Sequence, residues 1–297
     1  MSPVVYWIGR IDSPFAAALE DRLSEKSWAL GRLDIEAPLR GDAVTVEPRA
    51  VIWQGRSLLE ASAVVLETPV VAWPQPDLVT TTDRPLEEIQ IAAMQEREAR
   101  SLLVSSLAAT SELVPVLNPL EAMGLVGAPV AALDRLASDG VPVHPWRLDV
   151  KASVEGALRR DVISRHLWHV PATPPQGEPA RRLEPFEDGV LDVLVLGHRI
   201  AGAERYASAQ AWQSGESDGV LDPESASRSC VAQTAEKAAW ATGLPIVALA
   251  LRESGAVLDI DPSPDLAAWE SRLPGQPSAI LVGYLLERIA EDPLVRF

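Results

Sequence analysis

The segment from Ala256 to Glu270, AVLDIDPSPDLAAWE, most constrains how this chain can fold. Apolar and acidic residues alternate through its first half and a proline-containing turn follows, which is typical of a strand that ends at a turn. Asp259 and Asp261 are two residues apart, so both side chains project from one face of that strand. Two such carboxylates suit Mg²⁺, which takes oxygen ligands and completes its shell with water and phosphates. The alternative is that both are solvated surface groups.

The first third of the chain alternates short apolar runs with amphipathic stretches, which is typical of an open α/β sheet. In residues 13–24, Phe15, Leu19 and Leu23 follow one another at intervals of four and predict a helix with one apolar stripe. A long acidic helix is expected over residues 85–107. Short strands are expected at 4–8, 43–46, 50–53, 62–66, 69–73 and 114–117.

The rest of the chain has a different pattern. A helix is expected at 128–138, followed by a Pro- and Arg-rich segment at 170–187 that has little periodicity. Ordered elements then return as strands at 190–196, 199–203, 246–251 and 257–260, with helices at 226–242 and 278–291. Adjacent strands joined by short turns and covered by helices predict an α+β lobe with an antiparallel sheet.

Charge and cysteine content exclude some classes of partner. The 297 residues include 42 acidic and 26 basic residues, which gives a formal charge of -16. This balance argues against nucleic acid or an anionic membrane as partner, because phosphate groups require clustered Lys and Arg. A single cysteine, Cys230, excludes an internal disulfide and is expected to be a small buried apolar group. With no membrane span or signal segment in the sequence, a cytoplasmic location is expected.

Four stretches together resemble the ATP-grasp superfamily, in its ribosomal-protein glutamate ligase and glutathione synthetase-like branch. They are VLNPLEA, LDRLASDGVPVHPW, LVLGHRIAGAERYA and GLPIVALALRESGAVLDIDPSPDL, in that order along the chain. The resemblance implies an N-terminal α/β domain at 1–117 and an ATP-grasp-like domain at 118–297. It also implies that the central lobe, about 146–189, is shortened.

The resemblance also implies a set of site residues, several of which are altered. Asp259 and Asp261 stand where the family has a Glu-x-Asn metal motif, and Ala250 stands where the preceding strand has an acid. Arg165 stands where the family has a phosphate-binding lysine, and Arg205 matches a basic position. Arginine is a broad planar fork, so it does not replace a compact ammonium group conservatively.

Further departures concern the phosphates of the nucleotide. The helix before GVPVHP has Ala128 and Pro129 where the family has another lysine, and Asp192 stands where an arginine is expected. After Arg165 the chain continues as HLWHVPATPPQGEP, with no glycine run. Proline has no amide N–H to donate to a phosphate, so this segment cannot replace a glycine-rich phosphate loop.

These departures favour one function over two others. The main hypothesis is a degenerate ATP-grasp protein that acts as a binding or partner subunit and needs no cofactor. The alternative is an active ATP-dependent carboxylate–amine ligase that uses Mg-ATP, and the third is a small-molecule carrier. A protein partner or a homo-oligomer is expected, with a peptide or small molecule as possible ligand. The closing helix at 278–291 is the expected contact element. Among the nine tryptophans, Trp212 is expected near the cleft and Trp240 in a core.

Overall fold

A computed structural model describes residues 3–34, 44–47, 50–67, 86–119, 129–149, 158–159 and 180–291. The chain divides into two compact units. One consists of Met1–Leu120 with Val282–Phe297, and the other of Glu121–Leu281. Among the described helices, none is both long enough and apolar enough to cross a lipid bilayer.

The first unit contains the open α/β sheet that the sequence predicted, and its strands are parallel. Its elements in chain order are β1 (Val4–Gly9), α1 (Pro14–Ser24), β2 (Ala29–Asp34), β3 (Val44–Glu47), β4 (Ala50–Trp53), β5 (Arg56–Ser57), a 3-10 turn (Leu58–Glu60), β6 (Ala63–Leu66), α2 (Leu86–Ser111) and β7 (Val116–Leu117). The parallel sheet has the order β2-β1-β6-β7, and β3-β4-β5 form a separate antiparallel sheet. The strand predicted at 69–73 lies outside the described residues.

Helix α1 illustrates how local sequence fixes an element. Ser13 caps the helix by accepting a hydrogen bond from Ala16 N at 3.4 Å, and Pro14 occupies the first turn, where its missing N–H costs nothing. Phe15, Leu19 and Leu23 are all buried, as their spacing predicted.

The second unit contains the antiparallel sheet that positions the candidate site. Its elements are α3 (Pro129–Ser138), β8 (Trp146–Asp149), β9 (Leu158–Arg159), β10 (Ala180–Leu183), β11 (Val190–Leu196), β12 (Arg199–Tyr206), α4 (Ala209–Ser214), β13 (Gly219–Leu221), α5 (Pro223–Ser227), α6 (Ala232–Thr242), β14 (Ile246–Arg252), β15 (Val257–Asp261), α7 (Leu266–Arg272) and α8 (Gln276–Glu291), whose residues from Val282 onward belong to the first unit. The main sheet has the order β13-β12-β11-β14-β15, and a smaller one has the order β8-β10-β9. Helix α6 packs on β11, β12 and β14. The predicted fold class, α/β with an antiparallel α+β lobe, is confirmed.

The helix predicted at 226–242 is two helices instead of one. Asp222 caps α5 through Ser225 N at 2.7 Å, and α5 ends at Ser227. Beyond it, the Ser229 hydroxyl donates to the Ala226 carbonyl at 2.6 Å, and such a local bond competes with a continuing helix. Cys230 follows in this break and is exposed, with its thiol donating to the Glu253 carbonyl at 3.0 Å, so the expectation that it is buried is wrong.

One further expectation, that Trp240 fills a core, is also wrong. Trp240 is 66% exposed and stacks on the His198 ring with centroids 3.9 Å apart, because it lies on the outer side of α6. Helix α8 has no fully exposed large apolar side chain among its described residues. Leu281, Leu285 and Ile289 are buried, whereas Ile280, Tyr284 and Leu286 are half-buried, so the role of this helix as a contact element stays a prediction.

Candidate functional site

An acidic cavity of about 220 Å³ lies on one face of the five-stranded sheet, under helix α7. Strands β11, β12, β14 and β15 form its floor. The charged residues that line it are Asp192, Glu204, Asp259, Asp261, Asp265 and Arg272. Among the described lining residues there are therefore five carboxylates and one cation.

The strand register aligns three of these carboxylates in one row. Glu204 of β12 pairs with Asp192 of β11, Asp192 pairs with Ala250 of β14, and Ala250 pairs with Asp259 of β15. Residues that pair directly across antiparallel strands have their side chains on the same face. The row across the sheet is therefore Glu204, Asp192, Ala250 and Asp259, with Asp261 on the same face two residues further along β15.

Two of the acids in the row are held by neighbouring side chains. Trp212, which is fully buried, donates from its indole Nε1 to Asp192 Oδ1 at 2.8 Å. Glu204 Oε2 lies 2.7 Å from Arg272 Nη1, and the guanidinium of Arg272 lies 5.9 Å from the ring centre of Trp269. Asp192 and Glu204 thus already accept hydrogen bonds from other side chains of this chain.

The acids at the end of β15 have local structural roles as well. Asp261 Oδ1 accepts a hydrogen bond from Ser263 N at 2.9 Å, which closes the turn after the strand. Asp265 caps α7 by accepting from Ala268 N at 2.9 Å. The proline turn that the sequence predicted therefore leads directly into the N-terminal cap of α7.

The described residues supply only part of the ligand set that a magnesium triphosphate requires. Within the parts of the chain that the structure describes, no three His, Cys, Asp or Glu side chains come together in a way that could hold a metal ion. At the centre of the row stands the methyl group of Ala250, which offers no oxygen. A triphosphate also requires cations and amide donors, whereas the one cation described in this cavity, Arg272, is already paired with Glu204.

The structure does not bring all the sequence-predicted site residues together. Asp259 and Asp261 both line the cavity. Arg205 follows Glu204 on β12 and pairs with Leu191, so its side chain points to the opposite face of the sheet. There its Nη2 lies 3.1 Å from Glu253 Oε1. Arg165 lies outside the described residues.

Sequence reasoning missed three charged residues of the cavity, Glu204, Asp265 and Arg272. Asp265 had a usable signal, because an Asp followed by the amphipathic run LAAWESR is typical of a capped helix start. Helix α7 then brings Arg272 over the sheet. Glu204 had no such signal, because only the pairing of β11 with β12 shows that it lies beside Asp192.

Comparisons with known proteins show the fold. No protein-family model and no curated protein sequence matches this chain. Among solved structures, it is similar to the ATP-grasp ligase PsnB complexed with a phosphomimetic variant of its minimal precursor, Mg and ADP. That match has a TM-score of 0.71 and 15% identity, and covers 97% of this chain and 99% of PsnB.

Two further structures give the same result. The macrocyclase MdnC from Microcystis aeruginosa MRC, bound with precursor peptide MdnA, matches with a TM-score of 0.65 and 11% identity over 96% of this chain and 99% of MdnC. The RimK domain protein ATP-grasp from Sphaerobacter thermophilus DSM 20745 matches with a TM-score of 0.54 and 15% identity over 96% of this chain and 100% of that protein. At identities this low, the structural matches establish the three-dimensional fold only. The chemistry has to be inferred from the residues of this chain. The chain has the ATP-grasp fold.

Proposed function

We propose that this chain uses the ATP-grasp fold to bind a peptide, as a binding or partner subunit, and does not turn over ATP by itself. The peptide part of the proposal is supported by PsnB and MdnC, which have the same fold and were solved with precursor peptides. The loss of ATP chemistry is supported by one observation above all, namely that Ala250 stands between Asp192 and Asp259 in the row across the sheet.

Charge supports the same conclusion. Phosphoryl transfer depends on positive groups that neutralise the charge developing on the phosphate oxygens. The described lining of the cavity has the opposite balance, with five carboxylates around one arginine. The carboxylates that would have to bind the metal ion would also repel a triphosphate in this cavity.

A second candidate is an active ATP-dependent carboxylate–amine ligase. Two observations favour it: the chain matches PsnB and MdnC over 99% of their lengths, and Asp259 and Asp261 remain on one face of β15. The comparisons therefore favour a ligase, whereas the residues of the cavity favour a protein that has lost the ligase chemistry.

Thermal shift measurements with Mg-ATP separate the two candidates. A ligand at about 100 times its dissociation constant stabilises a protein by roughly 2.7 kcal/mol, which is readily measured as a rise in melting temperature. We expect no saturable rise for the wild-type chain, and no difference between it and the double variant Asp259→Asn, Asp261→Asn. A rise with Mg-ATP that is absent with Mg²⁺ alone and lost in the double variant would establish the ligase instead.

The peptide part is tested separately by selecting binders from a displayed library of random peptides. We expect enriched sequences that bind the wild-type protein in solution. Failure to enrich any peptide would contradict peptide binding without bearing on the thermal shift result.

A further inference from the structure

A buried histidine outside the cavity joins three segments of the second unit. His144 is 2% exposed and precedes β8. Its backbone N–H donates to the Val257 carbonyl at 2.9 Å, which ties it to β15. Its ring Nε2 lies 2.8 Å from the carbonyl oxygen of Glu184, just after β10. The chain segments that lead into and out of the β8-β10-β9 sheet thus meet at this one side chain.

Arg252, at the end of β14, completes the cluster. Its Nη1 lies 3.2 Å from His144 Nδ1, and its Nε and Nη2 both donate to Asp188, the former at 2.8 Å. Its guanidinium lies 4.9 Å from the ring centre of Phe186, and the His144 ring meets the same ring edge-on at 5.1 Å. Asp188 also accepts from Ser254 N at 3.1 Å, so it is held from two sides.

These partners determine the state of the His144 ring. A guanidinium donates hydrogen bonds and cannot accept them, so His144 Nδ1 must be the acceptor from Arg252. The proton is then on Nε2, which donates to the Glu184 carbonyl. A protonated ring would direct a second N–H at the Arg252 guanidinium and would lose this hydrogen bond.

We propose that His144 is a pH-sensitive latch, which in its neutral form holds the segments 142–146 and 183–188 against β14 and releases them when it is protonated. Three charged groups of the described chain act on the ring. Arg252 opposes protonation, while the carboxylates of Glu184 and Asp188 favour it. Asp188 is already committed to Arg252, which limits how far it can stabilise a charged imidazole.

The direction of the pH effect follows from burial and from Arg252. Desolvation is the main cause that lowers the pKa of His144 below its ordinary value, opposed by the Glu184 carbonyl and aided by the Arg252 charge. A histidine that is released gains protons more readily than one in the latch. The latch therefore contributes its full stability above the ordinary histidine pKa of about 6.5, and this contribution is lost as the pH falls.

The size of the effect can be stated as a ratio. If His144 stays neutral in the closed latch and titrates near pH 6.5 when released, lowering the pH from about 7.5 to about 5.5 favours release by about tenfold. Partial protonation of the closed form would reduce this ratio.

Hydrogen–deuterium exchange, corrected for the intrinsic effect of pH, measures this release. We expect the exchange of the amides in 142–146 and 183–188 to rise up to about tenfold between pH 7.5 and 5.5. His144→Gln, which keeps one donor and one acceptor but has no charge to gain, should remove the rise. His198→Asn is the matched control, because His198 lies in the β11–β12 turn with φ 65° and Asn tolerates that conformation; it should leave the rise unchanged. Equal exchange at both pH values, or the same rise in His144→Gln, would overturn the latch.

A measurement on the wild-type protein covers the case in which His144→Gln does not fold. Imidazole ¹⁵N NMR at neutral pH should show one ring as the neutral Nε2–H form, titrating below the usual histidine range. If every histidine ring is charged near neutral pH, or if all titrate as unperturbed histidines, the latch is refuted.

Discussion

Replacing Ala250 by aspartate tests the row across the sheet more directly than removing any existing acid. Ala250 is 5% exposed and lines the cavity, so there is space on its open side for a larger side chain. The new carboxylate would lie between Asp192 and Asp259, each on a neighbouring strand. Ala250→Asn is the matched control, because it has the same shape without the charge.

The magnitude follows from the spacing of strands. Paired side chains on adjacent strands lie about 5 Å apart, and two like charges at that distance repel by about 3 kcal/mol at an effective dielectric constant of about 20. Two such neighbours would double this figure, but protonation of the new group and salt both reduce it. We therefore expect Ala250→Asp to be about 2–3 kcal/mol less stable than Ala250→Asn at neutral pH and low salt.

Native-state hydrogen exchange of the β11 and β14 amides is the appropriate assay, because it reports the opening of this sheet by itself. The gap between the two variants should shrink when Mn²⁺ is added, since a third carboxylate completes an oxygen ligand set that the described residues of the wild-type chain do not form. Equal stability of the two variants without metal would refute the reasoning, because it would mean that Asp192 and Asp259 do not flank position 250. A gap that Mn²⁺ leaves unchanged would show that the row cannot be turned into a metal site by one substitution.

Two other substitutions test how the site is supported. Glu270 is 7% exposed and accepts hydrogen bonds from Gly275 N at 2.6 Å and from Ser278 N and Oγ at 3.0 Å each, at the start of α8. Glu270→Gln should lower the free energy of unfolding by about 2 kcal/mol in urea denaturation, and a loss well below 1 kcal/mol would contradict this role. Trp212→Phe removes the indole donor to Asp192 while keeping most of the packing, and should cost about 1–3 kcal/mol in the same assay; an unchanged midpoint would show that this hydrogen bond contributes nothing.

The sequence was sufficient for elements whose signal is local. The stripe of Phe15, Leu19 and Leu23 predicted α1, and the alternation around Asp259 predicted β15, because both periodicities are properties of a single segment. The break between α5 and α6 was missed because it depends on a hydrogen bond from the Ser229 hydroxyl to a carbonyl, which composition does not reveal.

The site was less predictable because its geometry depends on register between strands. Asp192 lies beside Glu204, and Ala250 beside Asp259, only because β11, β12, β14 and β15 pair as they do. A shift of one residue moves a side chain to the other face of a sheet. Adjacent positions on β12 show the consequence, since Glu204 faces the cavity and Arg205 faces away from it.

One position of the row across the sheet is also part of a buried core. Ala250 belongs to a buried apolar cluster with Val190, Tyr206, Trp212 and Leu258. A methyl group that packs in this cluster contributes to stability through burial, which a carboxylate at the same position could not do without paying for desolvation. Asp192 is the acceptor for Trp212 of the same cluster, and Glu204 is paired with Arg272. Three of the four positions in the row therefore serve the stability of the sheet, and a cation could recruit Asp192 or Glu204 only by displacing an interaction that the fold already uses.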